Sequence, residues 1–364
     1  MELPSGMASF VRPALILLCA MVLFNLPTLM YKIGMFLRGV LYLLFCNDKS
    51  WKLPQCPSLV FDPILRREKE GSLSGRVVER KTIYFVRHGE STWNDTFNKG
   101  SHRSQAAFAI GFVPGLIKSI CFELYLILSG KMDSWFYDSP TSILGLHQVE
   151  ELSHFFEAAK DFDDADPIAK HVNVLMAKPG APLSKLVSSS LRRAVTTVVA
   201  GFNERLRRRP REKILVLPCL QEISRNPDTL SITPSQTNIQ ASWIDKGSSL
   251  CDFQSAFMKQ VDMSLHVGNK PVGTNGLRRM REFCEFVFSS STKEECVIVG
   301  GHSIWFRSFF RTFLPYKEDH IGKLKKVVNC GIVGFTLMKV ARESGQNTYM
   351  IDPQSVDVVY GGFH

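Results

Sequence analysis

Two histidines, two arginines and a carboxylate in this chain stand just beyond short apolar runs, in the surroundings that phosphate chemistry needs. Arg87-His88-Gly89-Glu90-Ser91-Thr92 follows the run Ile83-Tyr84-Phe85-Val86. A buried strand there would deliver an arginine and a histidine to the carboxyl edge of a sheet, where open α/β folds place their ligands. Neutral imidazole is a nucleophile, and the guanidinium beside it offers a fixed fork of donors to an oxyanion. Leu186-Val187-Ser188-Ser189-Ser190-Leu191-Arg192-Arg193 reads as a second strand that turns into a helix, with arginine in the first helical turn, where free N–H groups already favour an anion. Cys296-Val297-Ile298-Val299-Gly300-Gly301-His302-Ser303 is a third strand, ending on glycines and a second histidine. The glycines are expected to let backbone approach a ligand. Ile214 to Leu217 is a fourth, with Glu222 shortly after it.

Phosphate monoesters hydrolyse so slowly in water that enzymes accelerate the reaction by up to ~10²¹, chiefly through positioning and charge stabilisation. Two arginines and a histidine around one phosphoryl group supply both. A histidine with an ordinary pKa of ~6.5 is mostly neutral at physiological pH and can attack without a strong base, provided a carbonyl holds its other ring nitrogen. No acid pair or His-x-x-x-His spacing suggests a metal cage, so neither a metal nor another cofactor is expected. His102, His147, His154, His171, His266, His320 and His364 are scattered and read as surface or turn residues.

With these motifs in order, the chain resembles the histidine phosphatase superfamily, which also contains the phosphoglycerate mutases. The resemblance rests on Arg87 to Ser91 with Trp93 and Asn94, on Ser189 to Ala194 with Thr197, on Leu220 to Glu222, and on Gly301-His302-Ser303. A weaker element is Asp138-Ser139-Pro140-Thr141 with Gly145 and Gln148. It implies that His88 takes the phosphoryl group, that Arg87 and Arg193 bind it, and that His302 donates to its oxygens. Glu222 then resembles the acid that protonates the departing alkoxide, although Asp228 lies in the same stretch. Asn94 and Ser91 are further expected phosphate contacts. Arg192 falls at the variable position and is expected as a solvated residue or ion-pair partner. The mutases follow their acid with a signature rich in Arg, Tyr-Gly and Asn-Lys, whereas Glu222 is followed by Ile223-Ser224-Arg225-Asn226-Pro227-Asp228. Phosphatase chemistry on monoesters is therefore the favoured reading. A mutase-type phosphotransferase and an inactive membrane adaptor that binds phosphorylated partners are the alternatives.

The elements that must position these groups alternate. Apolar strands are separated by helix-like stretches such as 150–160, 193–208 and 277–288, which predicts an α/β fold, a three-layer α/β/α sandwich around a mostly parallel sheet. The 364 residues, 45% hydrophobic and 21% charged, suffice for one large catalytic core and an appendage. Nine cysteines without Cys-x-x-Cys pairing, among them Cys121, Cys219, Cys284 and Cys296 in apolar runs, suggest buried free thiols. The net charge of +10 is concentrated partly in Arg205, Arg207, Arg208, Arg209, Arg211 and Lys213, expected as a solvated helix end. No aromatic-interleaved basic motif supports nucleic acid as a partner.

The amino terminus adds a second theme. Residues 13–31 carry no charge and approach the ~20 residues that cross a bilayer, and 33–46 continue with Arg38 alone charged. They predict membrane-associated helices, one span or a hairpin bent at Pro27, with membrane lipid as a partner. Lys32, Arg38, Lys49, Lys52, Arg66 and Arg67 would place the catalytic part on the cytosolic side. The expected organisation is an anchor at 1–46, a linker at 47–79, a catalytic domain at 80–345 with an apolar insert at 96–137, and a tail at 346–364. Within the insert, Pro114-Gly115 is expected to break any helix in 106–128, leaving a cap over the domain or an interfacial segment.

Overall fold

The computed structural model describes residues 25–49, 77–100, 103–159, 166–315, 318–341 and 347–364. At its centre lies β1, Val77–Arg87, whose alternating residues face opposite ways. Ile83 and Phe85 enter one apolar core, and Tyr84 and Val86 the other. A strand buried on both faces belongs in the middle of a covered sheet.

The sheet has eight strands. β2 (Ser184–Ser188), β3 (Ile214–Val216), β4 (Val261–Asp262) and β5 (Cys296–Gly301) join β1 in the parallel order β4-β3-β2-β5-β1. β6 (Ile332–Val340) pairs antiparallel with β1, and β7 (Thr348–Ile351) and β8 (Asp357–Tyr360) pair antiparallel with β6. The expected α/β/α sandwich is thus present. One face is covered by the helices Ile143–Ala158 and Arg192–Gly201, the other by Gly276–Val287 and Ser303–Phe313. The carboxyl ends of β1, β2 and β5 share one edge, and all three lead directly into the residues singled out above.

Several expectations change. Residues 347–364 do not trail the domain: the two strands they carry extend the sheet past β6 and bury Met350 and Ile351. The residues at 77–79, expected as linker, already belong to β1. Residues 13–24 of the expected anchor, 50–76 of the linker and His102 lie outside the described residues. The described part of the anchor is one helix, α1 (Leu26–Phe45), with Pro27 in its first turn rather than at a bend. Proline is compatible with that position because its missing N–H would be unpaired there anyway.

Pro114-Gly115 does not break the insert either. A single helix, α3, runs over Gln105–Leu128, opened by Ser104, whose hydroxyl accepts from Ala107 N; the short α2 (Thr92–Phe97) precedes it. Among the basic residues, Arg205 is not solvated but fully buried, pairing with Glu212 at 2.5 Å and donating to the carbonyls of Leu175 and Ser184. Cys219, Cys284 and Cys296 are buried free thiols as expected, whereas Cys121 is exposed on α3. His171 and His266 are buried, His171 against Tyr84 and Asp357 and His266 bonded to the Thr233 carbonyl.

Both apolar helices turn their apolar stripes outward. In α1, Met30, Ile33, Leu37, Leu41 and Leu44 are exposed at helical spacing, while Thr28, Lys32, Met35, Gly39 and Tyr42 face the protein. In α3 the exposed stripe is Ile110, Val113, Ile117, Ile120 and Leu124. The inward faces are joined by polar contacts: Lys32 pairs with Glu123 at 2.6 Å, and Asn25 Nδ2 donates to Leu128 O at 2.8 Å. This is the reverse of a water-soluble helix, whose apolar stripe faces the core.

Candidate active site

Strand register brings the two histidines together. Arg87 on β1 lies opposite Gly301 on the parallel β5, so His88 and His302 are each the first residue past the sheet edge. Their ring centroids are 5.0 Å apart. His88 Nδ1 meets the Gly89 carbonyl at 2.5 Å, which places the hydrogen on Nδ1 and leaves Nε2 unprotonated, as an acceptor. Arg193 Nε lies 3.3 Å from that Nε2. His88 is buried, and its pKa is held well below the usual imidazole range by burial first, then by Arg193 and Arg87.

The turn after β1 is fixed on every side. Gly89 N donates to Thr197 Oγ1 at 3.0 Å, Glu90 N to Gln148 Oε1 at 2.9 Å, and Asn329 Nδ2 to His88 O at 3.0 Å. Gly145 is required for close approach, because a Cβ there would stand 2.1 Å from the Glu90 carbonyl. Thr197, Gln148 and Gly145 thus hold the turn of His88 to the helices beginning at Arg192 and Ile143. Gly300 has a packing role as well: a Cβ would meet Val198 at 2.3 Å, so the expected closeness to a ligand is closeness to a helix.

His302 opens the helix Ser303–Phe313, and its Nε2 is 2.8 Å from Ser189 Oγ. Ser189 Oγ also accepts from Leu191 N, so its own hydrogen is available to His302 Nε2. That tautomer carries the hydrogen on Nδ1, which has no hydrogen-bond partner among the described residues. Burial first, with Arg193 and His88 adding to it, keeps this ring neutral. Arg193, in the first turn of its helix, also donates from Nη1 to Asp228 O at 2.8 Å and pairs through Nη2 with Asp228 Oδ2 at 3.1 Å. Arg87 Nη1 donates to Val327 O at 2.5 Å, while its buried Nε has no hydrogen-bond partner among the described residues.

The two carboxylates differ. Glu222 Oε1 accepts from Ile223 N and Trp305 N, both at 2.8 Å, and Oε2 accepts from Ile304 N at 3.3 Å. It therefore binds the N-terminus of the His302 helix. Asp228 has one oxygen on Arg193 and the other, Oδ1, buried without a hydrogen-bond partner among the described residues. Burial, opposed by Arg193 and reinforced by the charge of Glu222, pushes the Asp228 carboxyl up to about 6. Arg87, His88, Arg193, Glu222 and Asp228 line one cavity of about 260 Å³.

Ser91, Asn94 and Arg192 have separate outcomes. Ser91 is fully buried and accepts from Asn94 N at 3.3 Å as the cap of α2; it does not line the cavity. Asn94 does line it, with its side-chain oxygen accepting from Asn98 Nδ2 at 2.6 Å. Arg192 is the ion-pair partner of the two expected readings rather than the solvated residue: it is buried beneath the site, 2.7 Å from Asp133 Oδ1, and its backbone N–H donates to Asp138 Oδ1. Asp138 sits at φ +46°, a conformation that short Asx side chains tolerate, and also accepts from Ile232 N. Sequence reasoning missed Lys326, Asn329 and His364, which reach the cavity wall from the far end of the chain. No local pattern marks them; the antiparallel β6 brings its leading residues back to the β1 edge. Burial, with Arg87 adding to it, lowers the Lys326 ammonium.

No family model and no curated protein matches the chain. Among solved structures it is similar to a mycobacterial glucosyl-3-phosphoglycerate phosphatase in complex with VO3, at 15% identity over 75% of this chain and 97% of that one, with a TM-score of 0.33. A putative alpha-ribazole-5'-P phosphatase from Escherichia coli matches at 10% identity over 74% and 95%, with a TM-score of 0.33. The ecdysone phosphate phosphatase from Bombix mori in complex with tungstate matches at 15% identity over 75% and 93%, with a TM-score of 0.34. Likeness at this level carries no functional argument by itself.

Proposed function

We propose that this chain is a membrane-associated phosphohydrolase of the histidine phosphatase type, acting on phosphate monoesters through a phosphohistidine on His88. The observation that carries the reading is the tautomer: the Gly89 carbonyl holds Nδ1 while Nε2 faces Arg193, beside Arg87 and His302. In the first step His88 Nε2 forms a bond to phosphorus and the ester P–O bond breaks. The phosphoryl oxygens lie among Arg87, Arg193 and the Nδ1–H of His302. The departing oxygen takes a proton from the carboxyl pair Glu222–Asp228, on which it rests at Asp228 because that oxygen is unpartnered and its affinity for protons is raised. In the second step water attacks phosphorus, the P–N bond breaks, the proton returns to the pair, and neutral His88 is restored. Glu222, which the sequence resemblance implies as the acid, lines the same cavity and anchors the helix of His302.

The outward apolar stripes of α1 and α3 support membrane attachment on one side of the domain. Because α1 packs its inner face against the protein, these helices fit best lying in the interface, immersed about 5–10 Å, with the domain in the cytosol. Exposed stripes of this extent would otherwise favour aggregation. The test is release of inorganic phosphate from p-nitrophenyl phosphate by the full chain in detergent with chelator present. Turnover supports the hydrolase; phosphopeptide or sugar-phosphate binding without turnover would replace it with the adaptor.

A further inference from the structure

The loop from Cys219 to Ser231 that carries Glu222 and Asp228 contains no strand of the sheet. It is held from beneath by two buried cations. Lys270 Nζ donates to Glu222 O at 2.7 Å and to Ser224 O at 2.9 Å. Arg279 donates to Gln221 O, to Cys219 O at 3.3 Å and to Glu222 O at 3.4 Å. Carbonyl dipoles alone do not neutralise two like charges out of water, and an uncompensated buried charge is strongly unfavourable. Among the described residues one carboxylate pairs with both: Asp48 Oδ2 lies 2.5 Å from Lys270 Nζ and 2.8 Å from Arg279 Nη2. Asp48 is fully buried, and it comes from the segment that leaves α1. Its own carbonyl accepts from Gly276 N at 3.3 Å, and nearby Tyr42 and Cys46 pack on Leu230 of the acid loop. Tyr31, also on α1, donates to Ile232 O at 3.1 Å.

We propose that Asp48 is a positioning residue for the carboxyl pair, so that the membrane helix is part of the catalytic unit rather than a detachable tether. This rests on the phosphohydrolase reading for its effect on turnover, but not for its effect on the loop. Docking α1 delivers the one negative charge that lets Lys270 and Arg279 gather the carbonyls of residues 219–224. A chain beginning at residue 76 would leave both cations unpaired beneath the acid loop.

The test uses the full chain in lipid nanodiscs, as wild type, Asp48→Asn, Asp48→Glu and the double variant Asp48→Asn/Lys270→Met, which removes one unpaired cation so that folding is not limiting. Amide hydrogen exchange is followed across 219–231 and across β5, together with hydrolysis of an aryl and an alkyl phosphate. Asp48→Asn and the double variant are expected to speed exchange in 219–231 by roughly tenfold or more, with β5 unchanged. Alkyl phosphate turnover should fall by a similar factor while aryl phosphate turnover changes little, and Asp48→Glu should recover most of the loss. Unchanged loop exchange in Asp48→Asn and in the double variant would overturn the proposal, as would equal loss on both esters. If the wild type hydrolyses neither ester, the phosphohydrolase reading falls and the exchange data alone decide the role of Asp48.

Discussion

The guanidinium of Arg193 donates, Nε to Nε2 at 3.3 Å, to the unprotonated ring nitrogen of His88. The same group pairs with Asp228 at 3.1 Å, so one side chain spans His88 and the Asp228 carboxyl.

Arg193→Lys keeps the charge but loses the planar fork. Its kcat/KM on an aryl phosphate is expected to fall by about 10²–10³, the usual cost of removing an aligned donor to developing negative charge. Steady-state kinetics on the purified variant check this, and activity within threefold of wild type would remove Arg193 from phosphoryl binding.

Alkyl phosphates need a proton as the ester bond breaks and aryl phosphates need one far less. Glu222→Gln and Asp228→Asn should therefore each slow the alkyl ester more than the aryl ester. The Asp228 carboxyl, raised to about 6, must be protonated to donate. Alkyl phosphate turnover should accordingly fall as pH rises through about 6, and Asp228→Asn should abolish that limb. A pH–rate profile with the limb intact in Asp228→Asn would leave Glu222 as the sole acid.

His88 and His302 are both held neutral below their ordinary range. In the unfolded chain they bind protons below ~6.5, so unfolding takes up protons there and stability drops on acidification. The sign is the usual one for buried neutral histidines: their contribution is complete above the unfolded pKa and is lost as pH falls. The raised Asp228 carboxyl acts in the opposite sense and is common to both proteins, so between pH 7 and 5 the thermal midpoint of His302→Asn should fall relative to its pH 7 value by less than that of the wild type, by about one proton's linkage. Equal slopes would mean that His302 is charged in the folded protein.

Replacing Ile110, Val113 and Ile117 by serine removes the middle of the exposed α3 stripe without touching the cavity. Flotation with anionic liposomes should show reduced association, with aryl phosphate turnover unchanged. Undiminished flotation would shift the membrane contact to α1 and the residues before it.

What sequence could supply here was the sheet edge. Strand patterns near 83, 186 and 297 end on His88, Ser189 and His302, and parallel register alone then sets those residues side by side. Long-range pairings carried no such signal. Arg205 reads as a surface cation, and Arg192 as a solvated residue or an ion-pair partner, because their partners, Glu212 and Asp133, become apparent only after folding. Pro114 suggested a break because proline removes one backbone donor, yet α3 continues through it. The cavity residues Lys326, Asn329 and His364 follow from β6 returning antiparallel to β1, and Asp48 from the docking of α1.

The central claim is the covalent intermediate on His88. Rapid quench of the full chain with a ³²P-labelled aryl phosphate, followed by mass spectrometry, should find an acid-labile, base-stable label on His88 in the wild type and none in His88→Ala, which should also lose turnover. Turnover retained by His88→Ala, or a label on any other residue, would contradict the account.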